Sequence, residues 1–153
     1  MIQQLHANGI RPMQAADLPA VMKIENQSYD FPWSEEIFRD CLANSYQSML
    51  YVDQQQIQAY AVSQNIVDEC HLLNLTVRPE ARNRGIGKKM LQYLINQARR
   101  NDIGSLFLEV RVSNIAAITL YDQLGFNEIG VRRDYYPASN GREDALVFAF
   151  EVV

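Results

Sequence analysis

The segment Leu75-Thr76-Val77-Arg78-Pro79-Glu80-Ala81-Arg82-Asn83-Arg84-Gly85-Ile86-Gly87-Lys88 runs from a strand pattern, through a loop with two glycines, directly into a helix pattern. A helix start of this kind presents unpaired N–H groups and a positive dipole end, which suits a phosphate. Gly85 and Gly87 let backbone approach a ligand without Cβ interference. The spacing excludes a Walker A loop, because Arg82 and Lys89 stand where glycine and Ser/Thr are needed. It excludes a dinucleotide fingerprint too, since Met90 occupies the third glycine position. A second chemical candidate is Glu109 in Leu106-Phe107-Leu108-Glu109-Val110-Arg111-Val112, where alternation puts Phe107, Glu109 and Arg111 on one face. A carboxylate among apolar neighbours is costly unless paired or useful. An ion pair with Arg111 and a general-base role are both open. Tyr121 shares a helical stripe with Ala117, Leu120 and Leu124, a pattern that usually means a core tyrosine with a satisfied hydroxyl.

The elements that must hold these residues read as α+β. Ile10–Met13 forms a short strand, and Asp17 caps a helix carrying Leu18, Val21, Met22 and Glu25. Phe31-Pro32-Trp33 is a loop, after which Ser34 caps a helix with Glu35 and Glu36 in its first turn. Residues 48–52 and 57–67 form a hairpin about the polar turn 53–56, and Cys70–Val77 is a further strand that Arg78-Pro79 ends. Met90, Leu91, Leu94, Ile95 and Ala98 mark a helix over 87–100. Leu106–Val112 is a buried strand, Ser113 caps a helix through Leu124, and Gly125 stops it at C′. Strands over 126–133 and 145–152 complete a mixed sheet flanked by helices.

At 153 residues the chain is one domain's worth, 1–153. Its formal charge of −4 argues against direct nucleic-acid binding, because no basic stripe is available for phosphates. Cys41 and Cys70 belong to no Cys-x-x-Cys pair, and His6 and His71 are isolated, so no metal spacing exists. Met1–Pro12 lacks a basic segment followed by an apolar run, and no apolar stretch approaches the roughly 20 residues of a membrane span. A cytoplasmic location without membrane attachment is the expectation.

With the rest of the chain, Arg82-x-x-Gly85-x-Gly87 resembles the pyrophosphate loop of the GNAT acetyltransferases. The likeness continues through Leu108-Glu109-Val110-Arg111, Ser113-Asn114-x-Ala116-Ala117 and Leu120-Tyr121-x-x-Leu124-Gly125-Phe126. It extends to Tyr135-Tyr136-Pro137, Gly141-Arg142-Glu143-Asp144-Ala145 and, upstream, Phe31-Pro32-Trp33-Ser34. In combination, from about Tyr29 onward, these are similar to the ribosomal-protein alanine N-acetyltransferases. Ala81-Arg82 departs from the aromatic-Gln pair common in that loop.

The resemblance implies a GNAT fold, with a mixed central β-sheet and about four helices, and acetyl-CoA as cosubstrate without a metal. It implies Glu109 as general base and Tyr121 as the acid that protonates the coenzyme thiolate. Backbone of Leu75, Thr76 and Val77 would meet the acetyl and pantetheine portion, and Asn114 would contact the coenzyme. Asn83, Arg84, Gly85, Ile86, Gly87 and Lys88 would surround the pyrophosphate. Phe31, Trp33, Glu69, Tyr135, Tyr136, Glu143 and Asp144 would line a partly acidic acceptor groove. The implied acceptor is the basic N-terminus of a small-subunit ribosomal protein, with alanine first, and the enzyme is expected to be a monomer.

Acetyl transfer from a thioester requires an amine that has lost its proton, a stabilised oxyanion and a protonated leaving thiolate. An α-amine, with a pKa near 8, is cheaper to deprotonate than lysine near 10.4 by about 3 kcal/mol at neutral pH. A phenol, protonated at neutral pH, is a reasonable donor to the thiolate. The competing readings are a GNAT enzyme for lysine or a small-molecule amine, and a non-catalytic acyl-CoA-binding module.

Overall fold

The computed structural model describes residues 9–152. His6 and the segment 1–8, read above for metal spacing and a signal sequence, lie outside them. The strands are β1 (Ile10–Pro12), β2 (Gln47–Asp53), β3 (Gln56–Ile66), β4 (Glu69–Val77), β5 (Ser105–Arg111), β6 (Asn127–Ala138) and β7 (Gly141–Glu151). The helices are α1 (Leu18–Ser28), α2 (Glu35–Ala43), α3 (Ile86–Arg100) and α4 (Ile115–Gln123). The sheet order is β1-β2-β3-β4-β5-β7-β6. Pairing of β4 with β5 is parallel, whereas β1–β2, β2–β3, β5–β7 and β6–β7 are antiparallel. This is the expected mixed α+β architecture.

The chain partitions into two compact units. The first comprises residues up to Gln64 together with Asn74–Leu91. Its core joins Leu18, Val21 and Ile24 of α1 to Phe38 and Cys41 of α2 and to Leu50, Tyr60 and Val62 of the strands. Phe38 packs edge-on against Tyr60, ring centroids 5.8 Å apart, and Trp33 covers Phe38 at 5.2 Å. Burial of each such side chain contributes about 1.5–3 kcal/mol. The β2–β3 turn places Gln54 and Gln55 at φ 52° and 65°, as a two-residue hairpin requires.

The second unit comprises Asn65–Leu73 and Gln92 onward. Strand β5 alternates between buried Leu106, Leu108 and Val110 and half-buried Phe107, Glu109 and Arg111, so the period-2 reading holds. Helix α4 ends in a Schellman turn with Gly125 at φ 96°. Phe126 N–H donates to Tyr121 O at 3.0 Å and Gly125 N–H to Asp122 O at 3.1 Å.

Four local expectations are corrected. Asp17 does not cap α1 with its side chain; it has helical dihedrals at the end of a 3-10 turn, accepts Gln14 N–H at 2.8 Å and pairs with Arg11. Asn114, not Ser113, caps α4, its Oδ1 accepting Ala117 N–H at 3.2 Å. β6 runs on through Tyr135-Tyr136-Pro137 and β7 begins at Gly141. Proline is tolerated there because β6 is a sheet edge.

Candidate active site

Strand register decides what surrounds Glu109. Glu109 pairs with Val147 and Arg111 with Ala145 on β7, and these stand opposite Gly130 and Arg132 of β6. Cross-strand partners share a face, so Glu109, Arg111, Arg132 and, by alternation from Ala145, Glu143 project together. Glu109 is 28% exposed, takes the guanidinium of Arg132 and interacts with the Tyr135 hydroxyl. The sequence left an ion pair with Arg111 open; the structure pairs Glu109 with Arg132 and Arg111 with Glu143. Arg111 donates to Glu143 Oε1 at 2.9 Å and Pro137 O at 2.6 Å, with its guanidinium 4.5 Å from the Tyr136 ring centroid.

A bulge in β6 assembles this cluster. Between the pairs Arg132↔Ala145 and Tyr136↔Glu143, residues 133–135 face Asp144 alone. Asp134 sits at φ 50°, and its N–H donates to Asp144 Oδ1 at 2.9 Å. Arg142 straps the loop by donating to Asp134 O at 2.7 Å and Tyr135 O at 2.9 Å. Consecutive strand residues normally face opposite ways. The extra residues re-aim the chain, so Tyr135 reaches Glu109 while Tyr136 covers Arg111, the two rings 5.0 Å apart. The hydrogen bond to Glu109, then burial and the carboxylate charge, raise the Tyr135 pKa. Burial, then the charge of Glu109, pushes Tyr136 up to about 12. Both phenols therefore stay protonated at neutral pH.

Tyr121 is held by ring packing. Its ring packs at 5.7 Å against Phe126 and 6.0 Å against Phe148. Phe148 pairs with Leu108, so this packing is on the other sheet face. Asn114 spends Oδ1 on the α4 cap, which leaves its amide N–H groups as donors.

The described β4–β5 pairs, Glu69↔Ser105 to Leu72↔Leu108, lie in the second unit, whereas Leu75–Val77 belong to the first. The Tyr29 hydroxyl lies 2.6 Å from Thr76 Oγ1 and 3.4 Å from Leu75 O, while Arg82 Nε donates to Val77 O at 3.3 Å. Asn83 (φ 64°) and Gly85 (φ 77°) turn the chain into α3, and a Cβ at Gly85 would meet nothing within 4 Å. Lys89 N–H donates to Gly85 O at 3.1 Å. The N–H groups ahead of it belong to the first helical turn, which lacks intrahelical acceptors. A loop open at Gly85, leading into a 15-residue helix, fits a pyrophosphate.

The expected acidic acceptor residues are each engaged. Glu69 pairs with His71 at 2.9 Å, and Asp144 holds the bulge. Glu143 is kept below the usual carboxylate range by its Arg111 hydrogen bond, then by Ser113. Sequence reasoning missed Arg132 as the partner of Glu109, and no local spacing signals it. It also passed over buried Glu25, which stands four residues after Val21 on the apolar stripe of α1. That placement was the available signal. No helix among the described residues is long and apolar enough to cross a membrane, and no cluster of three His, Cys, Asp or Glu could hold a metal.

Comparison with known proteins adds a further observation. Residues 18–126 match the acetyltransferase (GNAT) family. The [ribosomal protein bS18]-alanine N-acetyltransferase of Escherichia coli strain K12 is 39% identical over 145 residues, covering 95% of this chain and 98% of that one. The protein of the same description from Haemophilus ducreyi is 40% identical over 134 residues, covering 87% and 92%. The crystal structure of the ribosomal-protein-S18-alanine N-acetyltransferase from Escherichia coli superposes with TM-score 0.88 at 39% identity, covering 94% of this chain and 92% of that chain. Arabidopsis thaliana NAA60 in complex with a bisubstrate analogue, at 18% identity and TM-score 0.85, covering 93% of this chain and 96% of that chain, shares the fold.

Proposed function

Since the chain belongs to the acetyltransferase (GNAT) family, we propose that it acetylates the N-terminal alanine of the small-subunit ribosomal protein bS18. The observation that carries this reading is similarity along nearly the whole length to [ribosomal protein bS18]-alanine N-acetyltransferases. One family match runs through residues of both units, which supports a single catalytic domain over 1–153. Acetyl-CoA, the donor used by this family, supplies the thioester carbonyl.

Asn83–Lys88 and the first turn of α3 bind the pyrophosphate through backbone N–H groups, with Arg84 and Lys88 adding positive charge. Leu75–Val77 offer backbone groups to the amides of the pantetheine arm. Asn114 contributes an amide donor to the coenzyme. Glu109 accepts the proton of the attacking α-amine, and Arg132 and Tyr135 keep it in place until the acceptor arrives. Tyr121 gives its hydroxyl proton to the leaving thiolate; the packing of its ring on Phe126 and Phe148 sets where that hydroxyl is held. Tyr135, Tyr136, Phe31 and Trp33 meet the acceptor peptide. The enzyme works in the cytoplasm, as a monomer, without contacting nucleic acid.

The test is N-terminal mass spectrometry of small-subunit ribosomal proteins from cells with and without this chain. Loss of one acetyl group from an alanine-starting protein supports the reading. An unchanged set of acetylated termini would overturn it.

A further inference from the structure

Glu25 is 1% exposed, and no cation pairs with it among the described residues. Three donors converge on it instead. The Tyr60 hydroxyl and Asn74 Nδ2 donate to Oε1 at 2.6 and 3.2 Å, and the backbone N–H of Trp33 donates to Oε2 at 2.9 Å. A buried carboxylate left short of donors would be strongly destabilising, so the surroundings must conform to it.

The hydrogen bonds beyond Asn74 have one direction. With Nδ2 committed to Glu25, Asn74 turns Oδ1 the other way, where it accepts the Thr76 hydroxyl at 2.7 Å. Thr76 has then spent its proton and accepts from the Tyr29 hydroxyl at 2.6 Å. Tyr29, Asn74, Thr76, Trp33, Tyr60 and Glu25 all belong to the first unit. The chain is not a proton wire, because an amide cannot pass a proton from its oxygen side to its nitrogen side without tautomerising. Its consequence is positional. One end of the network is the amide of Trp33, in the Phe31–Trp33 loop read as the acceptor side. The other is the strand end Leu75–Val77, read as the seat of the acyl donor.

We propose that Glu25 is a positioning residue for acetyl transfer. It holds the acceptor-side loop directly, holds the donor-side strand end through Asn74 and Thr76, and touches neither substrate. The proposal rests on the acetyl-transfer reading above. It goes beyond that reading by assigning a role to a buried group outside the proton-transfer residues.

The two arms can be separated by substitution. Thr76→Val keeps the volume but removes the hydroxyl, which disconnects only the strand end. Glu25→Gln replaces one acceptor with an amide that opposes one of the three donors, disturbing both ends. Steady-state kinetics with acetyl-CoA and an alanine-starting basic peptide, each at a temperature well below the Tm of the variant, read the difference. Thr76→Val should raise KM for acetyl-CoA about tenfold with peptide KM within about twofold, as a small misplacement of a binding group would. Thr76→Ser should restore it. Glu25→Gln should raise both KM values, and adding Thr76→Val to it should raise KM for acetyl-CoA no further, because the two act through one network. Should Glu25→Gln fail to fold, the Thr76 pair decides the question alone. Lower Tm with unchanged kinetic constants, or Thr76→Ser no better than Thr76→Val, would overturn the positioning role. A wild type that neither binds acetyl-CoA nor acetylates the peptide would instead overturn the acetyl-transfer reading itself.

Discussion

Arg132 reaches across β7 to the carboxylate of Glu109, although Arg111 stands two residues from Glu109 on the same strand. An exposed pair of this kind is worth about 0.2–1 kcal/mol, and Arg132 is 58% exposed. It is therefore strong enough to orient Glu109 and weak enough for a substrate ammonium to displace. Arg132→Gln is expected to lower KM for a basic peptide by about two- to fivefold while leaving Tm nearly unchanged. A raised peptide KM would show that Arg132 assists the acceptor instead of competing with it.

Tyr121 has a packing role and a proposed chemical role that substitution can divide. Tyr121→Phe keeps the ring contacts with Phe126 and Phe148 and is expected to cut kcat while sparing acetyl-CoA affinity. Tyr121→Ala removes the ring and is expected to cost about 3–5 kcal/mol of stability, read by urea unfolding. Equal kcat for wild type and Tyr121→Phe would leave the residue with packing alone.

Asn114 poses a similar choice at the start of α4. Asn114→Ala is expected to cost about 1 kcal/mol through loss of the cap, whereas Asn114→Ser keeps a capping oxygen. If the amide N–H groups also contact the coenzyme, Asn114→Ser retains Tm yet binds acetyl-CoA more weakly by calorimetry. Full affinity in that variant would confine Asn114 to capping.

The alkaline behaviour of Tyr136 follows from its pKa of about 12 in the fold, against about 10 for a free phenol. A raised folded pKa means that the contribution of this group is fully present below pH 10 and is lost as pH rises towards 12. The wild type should therefore lose Tm relative to Tyr136→Phe between pH 10 and 12, with a constant difference between pH 7 and 9. A difference that stays flat across the whole range would contradict the burial assigned to this phenol.

Much of the fold was legible because local rules govern it. Alternation in Leu106–Arg111 places Glu109 on the correct face, Ser34 caps α2 through Ile37 N–H, and Gly125 ends α4. The details that escaped depend on partners distant in sequence. Asp17 is drawn from its capping role by Arg11 and Gln14. Glu109 selects Arg132 because register, not spacing along β5, sets which cation is near. The Arg142 and Asp144 contacts that hold the bulge carry β6 past residue 133, where the sequence reading ended it. Glu25 looked like one polar residue on a helix, since its donors lie on β3, β4 and the Trp33 loop.

Everything proposed for the site depends on Glu109 taking a proton from an α-amine. The most direct measurement mixes wild type or Glu109→Gln with acetyl-CoA and an alanine-starting basic peptide, following thiol release and peptide mass together. The expected result is one thiol per acetyl group, placed on the α-amine, with kcat at neutral pH lower by about a hundredfold in Glu109→Gln. Equal turnover by the two proteins, or acetyl groups found on lysine side chains, would contradict it.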